Sequence, residues 1–229
     1  MAILTLYSAD LDDPLLSDAR VAGCLNAAER TRADRYARPD LARRFVAGRV
    51  IMRHVLARVL GVPPADVAIT HNAWGRPELA GGPFFNLSHA GRSALFAIDE
   101  LAPVGVDIEI DDPAAEQGWF DAILSARERA EFDAGRPAAS TLLRLWVRKE
   151  AIVKAIGRGF SIAPAALDVG LREVDVHKWR PIEIDANGVS CSPVLIDLPG
   201  HEIAALARIG PASAHIVHKC YFWNGLVAQ

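Results

Sequence analysis

The chain has 229 residues, of which 51% are hydrophobic and 23% are charged, and its formal net charge is -3. This length predicts one large domain or two lobes of roughly 100 residues each, and the composition excludes disordered, collagen-like and disulfide-rich chains. The mildly acidic balance argues against a globally basic nucleic-acid-binding protein, so we expect no nucleic acid among the partners.

The cysteines and the apolar segments indicate the compartment. Cys24, Cys191 and Cys220 are widely separated and have no metal-ligand spacing, which predicts neither a disulfide framework nor a zinc site. The start of the sequence, MAILTLYSADLDDP, has no basic segment of the secretory type, and no apolar run approaches the roughly 20 residues of a membrane span. We therefore expect a cytoplasmic protein that does not associate with membranes.

The first half of the chain alternates between strand and helix patterns. Residues 2–8 are typical of a strand, and residues 41–60 carry apolar side chains at helical spacing until Gly61 ends the pattern. Strand patterns follow at 67–79 and on either side of a turn within 83–100. The helical region is rich in arginine, which suits bidentate phosphate recognition: Arg30, Arg32, Arg35, Arg38, Arg43, Arg44, Arg49, Arg53 and Arg58.

The second half repeats this order. A strand pattern at 103–110 precedes helical patterns at 116–124, 126–134 and 139–156, and the remainder is typical of strands separated by turns such as Asn187-Gly188. Both halves thus show strand, helices and strands in sequence, which hints at a duplicated α/β unit.

An apolar run in the middle of the chain, PVGVDIEI, carries two carboxylates. Side chains of a strand alternate between its faces, so Asp107 and Glu109 project one way, and Val106, Ile108 and Ile110 the other. Two buried carboxylates need a cation, and oxygen ligands suit Mg²⁺ bound together with substrate phosphates. The alternative is a half-exposed strand with two solvated acids.

A second cluster lies on the predicted helix 139–156. Trp146, Glu150 and Lys154 follow one another at four-residue steps and share a face, whereas Lys149 points elsewhere. This pattern is typical of a Glu base and a Lys phosphate ligand on a rigid element. An ordinary Glu–Lys pair above a core tryptophan is the alternative.

The segment Asn86-Leu87-Ser88-His89 is the third candidate. Adjacent residues of a strand face opposite ways and no partner acid is specified, so this pair does not indicate a catalytic triad. A hydroxyl and an imidazole can gather a phosphate together with Arg76. A turn with a capping serine is the alternative.

Four segments in this order carry a family resemblance: Gly75-Arg76-Pro77, residues 85–89 (FNLSH), residues 105–109 (GVDIE) and residues 146–154 (WVRKEAIVK). The chain resembles the Sfp-type 4′-phosphopantetheinyl transferases over about residues 30–160, and its length matches the pseudo-dimeric bacterial members. The resemblance implies an α+β fold with two similar α/β lobes related by pseudo-twofold symmetry, residues 1–102 and 103–229, and an active site in the cleft between them.

The resemblance also implies a reaction. The 4′-phosphopantetheine group of coenzyme A would pass to a serine of an apo acyl or peptidyl carrier protein, with Mg²⁺ as cofactor and adenosine 3′,5′-bisphosphate as the second product. Two similar lobes in one chain would make a monomer sufficient.

Residue roles follow from the same motifs. Asp107 and Glu109 would bind Mg²⁺. The third ligand would be Glu128 of the segment Ser125-Ala126-Arg127-Glu128, with Glu131 as the alternative. Glu150 would be the base that activates the serine, and Lys154 would contact the pyrophosphate. Coenzyme A phosphates would be held by Arg43, Arg44, Arg76, Ser88 and His89, with Arg32 and Arg35 as further candidates. An aromatic pair usually precedes the third acid, and here it is Trp119-Phe120.

Two other functions fit parts of the pattern. A metal-dependent nuclease also uses Asp, Glu and Lys, although its usual Glu-x-Lys alternation is absent here. A coenzyme A or carrier-protein binding module without turnover would keep the pocket, but the complete set of acid, base and lysine favours the enzyme.

Overall fold

Sixteen regular helices and strands are defined in the computed structural model, which describes residues 3–17, 22–111, 122–135, 138–172, 174–200, 202–211 and 214–220. Most of the predicted helix at 116–124 and the Trp119-Phe120 pair lie outside these ranges. The elements in chain order are β1 (Ile3–Asp10), α1 (Ala27–Ala33), α2 (Pro39–Leu60), β2 (Ile69–His71), β3 (Pro77–Leu79), β4 (Phe84–Ala90), β5 (Ser93–Asp99), β6 (Val104–Glu109), α3 (Ala126–Gly135), α4 (Ala139–Ile156), β7 (Arg180–Pro181), β8 (Ile184–Ala186), β9 (Val189–Cys191), β10 (Val194–Leu198), β11 (Ile203–Arg208) and β12 (His215–Cys220).

The first lobe is a four-stranded sheet of order β12-β1-β5-β4 with α2 on one face. Pro39 opens α2 at a position that needs no amide donor, and Gly61 ends it in the left-handed region at φ 69°. The apolar face of α2, including Val50 and Ile51, packs on Phe85 and Phe96 of the sheet. The α2 helix is thereby fixed against β4 and β5, and its remaining faces carry the arginines.

The second lobe repeats this arrangement with the sheet β6-β11-β10-β7 and helix α4. Gly105 of β6 is essential to their approach, because a Cβ at this position would lie 2.1 Å from the Ala151 carbonyl oxygen. This contact brings the backbone of α4 directly onto β6. Each lobe therefore consists of one sheet and one long helix, which confirms the predicted α+β class.

The two sheets pack on each other through a third apolar core that includes Leu6, Leu95, Val106 and Leu206. A fully buried ion pair also joins the lobes, since Arg208 Nε of β11 lies 2.5 Å from a carboxylate oxygen of Asp99 at the end of β5. The predicted domain boundary at residues 102 and 103 falls in the connection between β5 and β6. β12 departs from that division, because it pairs in parallel with β1 in the first sheet.

Among the described residues, the helices are all too short or too polar to cross a bilayer.

Candidate active site

The two lobes meet at Asp107 of β6. Its Oδ1 accepts a hydrogen bond of 2.8 Å from the Ser88 hydroxyl of β4 and lies 2.5 Å from the Lys154 ammonium group of α4. Lys154 Nζ also donates to Ser88 Oγ at 3.0 Å. Asp107 is only 4% exposed, so its charge depends on these two partners. The structure thus brings together three residues that were predicted from separate motifs.

The carboxyl groups of Glu150 and Glu109 interact electrostatically with Asp107. Burial is the main cause that raises the pKa of Glu150, with smaller contributions of the same sign from Asp107 and Glu109, while Lys154 opposes them. Burial and the charge of Asp107 likewise raise the pKa of Glu109, against Lys154. The neighbouring carboxylates therefore disfavour ionisation of Glu109 and Glu150, and Lys154 does not fully offset this effect.

The donor set fits a divalent cation. Asp107 Oδ2 and Glu150 Oε1 are both buried with no hydrogen-bond partner. Orphaned carboxylate oxygens are costly, and oxygen ligands are those that Mg²⁺ prefers. Among the described His, Cys, Asp and Glu side chains, no three converge closely enough to form a finished metal site. Lys154 instead supplies the positive charge beside Asp107.

Glu128, the predicted third metal ligand, pairs with Lys149 in the second lobe. It is completely buried, and its Oε2 lies 2.5 Å from Lys149 Nζ. The same carboxylate accepts backbone hydrogen bonds from Ser125, Val169 and Gly170. Both oxygens are used within the protein, so neither is left for a metal ion.

Arg76, a predicted phosphate ligand, makes hydrogen bonds to two backbone carbonyl groups. Its Nη1 donates to the Ala155 carbonyl at 2.7 Å and its Nη2 to the Val104 carbonyl at 3.1 Å. Asn72 in the same turn donates to the Gly157 carbonyl at 2.9 Å. These hydrogen bonds hold the β2–β3 hairpin against the end of α4. Arg76 therefore connects the two lobes.

The remaining predicted phosphate ligands lie on α2 and at the end of β4. Arg44 makes two hydrogen bonds of 2.7 Å to the carboxylate of Asp12, whereas Arg43 is exposed. His89 has a lowered pKa because packing around the imidazole disfavours its charge, and Lys154, Arg49 and Arg44 act in the same direction. An end of β4 surrounded by positive charge is suited to an anion.

Asn86 has a role in the site that the motif analysis missed. Its side-chain oxygen accepts a 2.9 Å hydrogen bond from the backbone amide of Val106, and the residue is 7% exposed. This bond holds β4 beside β6 and so keeps Ser88 next to Asp107. The available signal was an amide residue within an otherwise apolar strand pattern, which indicates a buried polar contact without naming its partner.

The fold and the site define a two-lobed enzyme with a carboxylate and lysine centre where the lobes meet. A family described as the 4′-phosphopantetheinyl transferase superfamily matches residues 103–197, and the family described as 4′-phosphopantetheinyl transferase, N-terminal, matches residues 14–100.

Three relatives illustrate the similarity. The chain is 32% identical to 4′-phosphopantetheinyl transferase HetI of Nostoc sp. over 68% of this chain and 69% of the relative. It is 31% identical to 4′-phosphopantetheinyl transferase psf-1 of Bacillus pumilus, over 82% and 81% of the two chains. With a 4′-phosphopantetheinyl transferase of Bacillus subtilis it shares 28% identity over 74% and 78%.

The chain belongs to the 4′-phosphopantetheinyl transferase superfamily. It is an enzyme that transfers phosphopantetheine to carrier proteins, as the ordered motifs predicted, and not the nuclease or the inactive binding module that were the alternatives.

Proposed function

We propose that this transferase modifies a serine of apo acyl or peptidyl carrier proteins in a Mg²⁺-dependent reaction, and that a monomer is sufficient. The observation that carries the proposal is the junction of Ser88, Asp107 and Lys154, where both lobes of one chain contribute to one charged centre. A site completed within one chain needs no second copy.

Asp107, Glu109 and Glu150 are the residues that would hold Mg²⁺, with Glu150 in the place first assigned to Glu128. Asp107 and Glu150 each have a buried oxygen without a partner, and the charges of Asp107 and Glu109 both act on Glu150. When bound, the ion would neutralise charge on the pyrophosphate oxygens of coenzyme A.

Glu150 accepts the proton of the incoming serine. A serine hydroxyl is a poor nucleophile near neutral pH, so a carboxylate within reach lowers the barrier to its attack on the β-phosphate of coenzyme A. The raised pKa of Glu150 increases its basicity relative to an exposed glutamate. A carboxyl group has two oxygens, so contact with a metal ion and proton transfer are compatible.

Lys154 stabilises the leaving group. Its side chain is 26% exposed, and its ammonium group points from α4 toward Asp107 and Ser88, where the phosphoanhydride bond would break. The departing adenosine 3′,5′-bisphosphate carries growing negative charge, which a fixed ammonium group offsets. Ser88 in turn positions Asp107 through its hydroxyl group.

The other coenzyme A phosphate contacts are assigned to His89, Arg43 and Arg44. The charges of Arg44 and Lys154 act on His89, which indicates that these groups lie near one another. Arg44 would exchange its exposed partner Asp12 for a phosphate, because an exposed ion pair contributes little to stability.

Mass spectrometry of apo acyl and peptidyl carrier proteins, incubated with the enzyme, coenzyme A and Mg²⁺, tests the proposal. We expect a mass gain of one phosphopantetheine and stoichiometric release of adenosine 3′,5′-bisphosphate. Asp107→Ala should abolish both products, whereas Asp185→Ala, which removes an exposed carboxylate on β8, should leave them unchanged. Wild-type turnover by the Asp107→Ala enzyme, or turnover in excess EDTA, would refute the assigned roles.

A further inference from the structure

The turn between β2 and β3 fixes the backbone of Arg76. The side-chain oxygen of Asn72 accepts hydrogen bonds from the backbone amides of Trp74 at 2.9 Å and Arg76 at 3.0 Å. The backbone amide of Asn72 donates to the Arg76 carbonyl at 2.9 Å, and Gly75 adopts φ 83°, a conformation that favours glycine. The Arg76 side chain therefore extends from a turn that is held by its own hydrogen bonds.

The guanidinium group of Arg76 lies between the backbones of α4 and β6. Its two terminal nitrogens donate to the carbonyl groups of Ala155 and Val104, which lie 79 and 28 residues along the chain. Its Nε is buried as well. This enclosure lowers the pKa of Arg76 through desolvation, and the charge of Glu78 partly opposes the shift. Arg76 thus joins two elements of the second lobe from a position in the first.

The end of α4 needs such a partner. The last four carbonyl groups of a helix have no donor within the helix, and a cation at this end also complements the helix dipole. Arg76 supplies a donor to Ala155, and the Asn72 side chain supplies one to the Gly157 carbonyl at 2.9 Å. Gly157 ends α4 at φ 75°, and a Cβ on it would lie 2.8 Å from Arg76 Cδ. Arg76 therefore packs directly against the end of the helix that carries Lys154.

Both bridged carbonyl groups lie close to the reaction centre. Ala155 directly follows Lys154 on α4, and Val104 lies three residues before Asp107 on β6. The two elements touch at Gly105, where a Cβ would lie 2.3 Å from the Ala155 amide nitrogen. A shift of the helix end along β6 would therefore move the Lys154 ammonium group away from the Asp107 carboxylate, which is now 2.5 Å distant.

We propose that Arg76 is a positioning residue of the transfer reaction. By holding the end of α4 against β6 from the first lobe, it keeps the Lys154 ammonium group beside Asp107 and Ser88. This inference rests on the proposed function, in which Lys154 offsets the charge of the leaving group. A fixed ammonium group is effective only at the correct place, and a displacement of about 1 Å costs up to about 100-fold in rate. Arg76 therefore acts on the transfer step and not on the affinity for coenzyme A.

A double-mutant cycle with Lys154 tests the inference on the full chain, with kcat measured by carrier modification and coenzyme A affinity by isothermal titration. Arg76→Met should lower kcat about 10- to 100-fold and change the affinity for coenzyme A less than about threefold. In the Lys154→Met background the same replacement should lower kcat less than about threefold, because no ammonium group remains to be misplaced. Arg172→Met, at an exposed arginine of the second lobe, is the control and should alter neither quantity.

The outcomes separate three roles of Arg76. A general structural role would give the same fall in kcat in both backgrounds, and a phosphate ligand would weaken coenzyme A binding; either result would overturn the inference while the proposed function stands. Wild-type kcat in Lys154→Met alone would overturn the proposed role of Lys154, and the inference with it.

A second variant covers the case in which Arg76→Met does not fold. Arg76→Lys keeps the charge, but an ammonium group lacks the planar fork that reaches both carbonyl groups. This variant should lower kcat at least about threefold at unchanged affinity for coenzyme A. Wild-type kcat in Arg76→Lys would also overturn the inference.

Discussion

Helix α4 presents two lysines, five residues apart, to two carboxylates, and the two pairs differ in how fully their polar atoms are used. Lys149 and Glu128 lie 2.5 Å apart with side chains 1% and 0% exposed. Their other hydrogen bonds are all to backbone groups: carbonyl oxygens of Ile123, Pro164 and Leu167 for the lysine, and amides of Ser125, Val169 and Gly170 for the glutamate.

Lys154 and Asp107 are equally close, at 2.5 Å, but their surroundings are incomplete. Asp107 Oδ2 and the adjacent Glu150 Oε1 are buried without partners, and the lysine is partly exposed. The distance between the charges is therefore the same in the Lys149–Glu128 pair, called the closed pair, and in the Lys154–Asp107 pair, called the open pair. What separates them is the number of donors and acceptors left for a ligand.

The largest expected effect is the loss of folding stability when Lys149 of the closed pair is replaced. Lys149→Met leaves the carboxylate of Glu128 buried without its cation, and removal of one partner of a buried pair costs about 3–5 kcal/mol. We expect a loss of this size in the free energy of unfolding, measured by equilibrium denaturation in urea. Lys178→Met, at a pair whose lysine is 79% exposed, is the control and should change stability by less than about 0.5 kcal/mol. A loss below about 1 kcal/mol for Lys149→Met would contradict the structural role.

In the open pair, we expect mutation of Lys154 to reduce activity strongly and stability only slightly. In the proposed mechanism, Lys154→Met removes the charge that offsets the leaving group, so kcat should fall about 100- to 1,000-fold. The free energy of unfolding should fall by at most about 1–2 kcal/mol, because Asp107 keeps its hydrogen bond from Ser88 and the lysine side chain is partly exposed. Steady-state assays of carrier modification and urea denaturation measure the two quantities. If both lysine variants lost stability equally, the distinction between closed and open pairs would be wrong.

The sequence predicts the open pair better than the closed one. Strand alternation places Asp107 and Glu109 on one face of β6, and helical spacing places Glu150 and Lys154 on one face of α4. Both rules relate residues that are only a few positions apart. Lys149 directly precedes Glu150 in the sequence, and local spacing indicated only that it points elsewhere. Its partner Glu128 is 21 residues away, and no local rule indicates that contact.

Long-range contacts also explain the other differences from expectation. Arg76 reaches a carbonyl group 79 residues along the chain. The strand pattern near the C-terminus was predicted, but its partner β1 lies more than 200 residues earlier in the sequence. Local patterns predict the elements and the family motifs, whereas the pairing of distant elements decides which polar atoms remain free for a ligand.

The smallest expected effect is a pH dependence of Mg²⁺ binding at the carboxyl groups around the open pair. Glu109 and Glu150 have pKa values raised above the ordinary 4.5 by burial and by neighbouring carboxylates, so part of each remains protonated above that value. Binding of Mg²⁺ requires the ionised forms, and it should therefore release protons. Affinity for Mg²⁺ should rise with pH through the raised pKa values and then level off, as isothermal titration in buffers of different ionisation enthalpy would show.

The same shifts fix the sign of the effect on stability. A carboxyl group whose pKa is higher in the folded than in the unfolded chain stabilises the fold at low pH, and this contribution is lost as pH rises through the folded value. Without Mg²⁺ the cluster should thus favour unfolding as pH rises, and Mg²⁺ should oppose it. Glu109→Gln should reduce proton release, whereas Glu183→Gln, at an exposed glutamate, should not. If Mg²⁺ binding released as many protons in Glu109→Gln as in the wild type, Glu109 would not belong to the metal-binding carboxylates near Asp107.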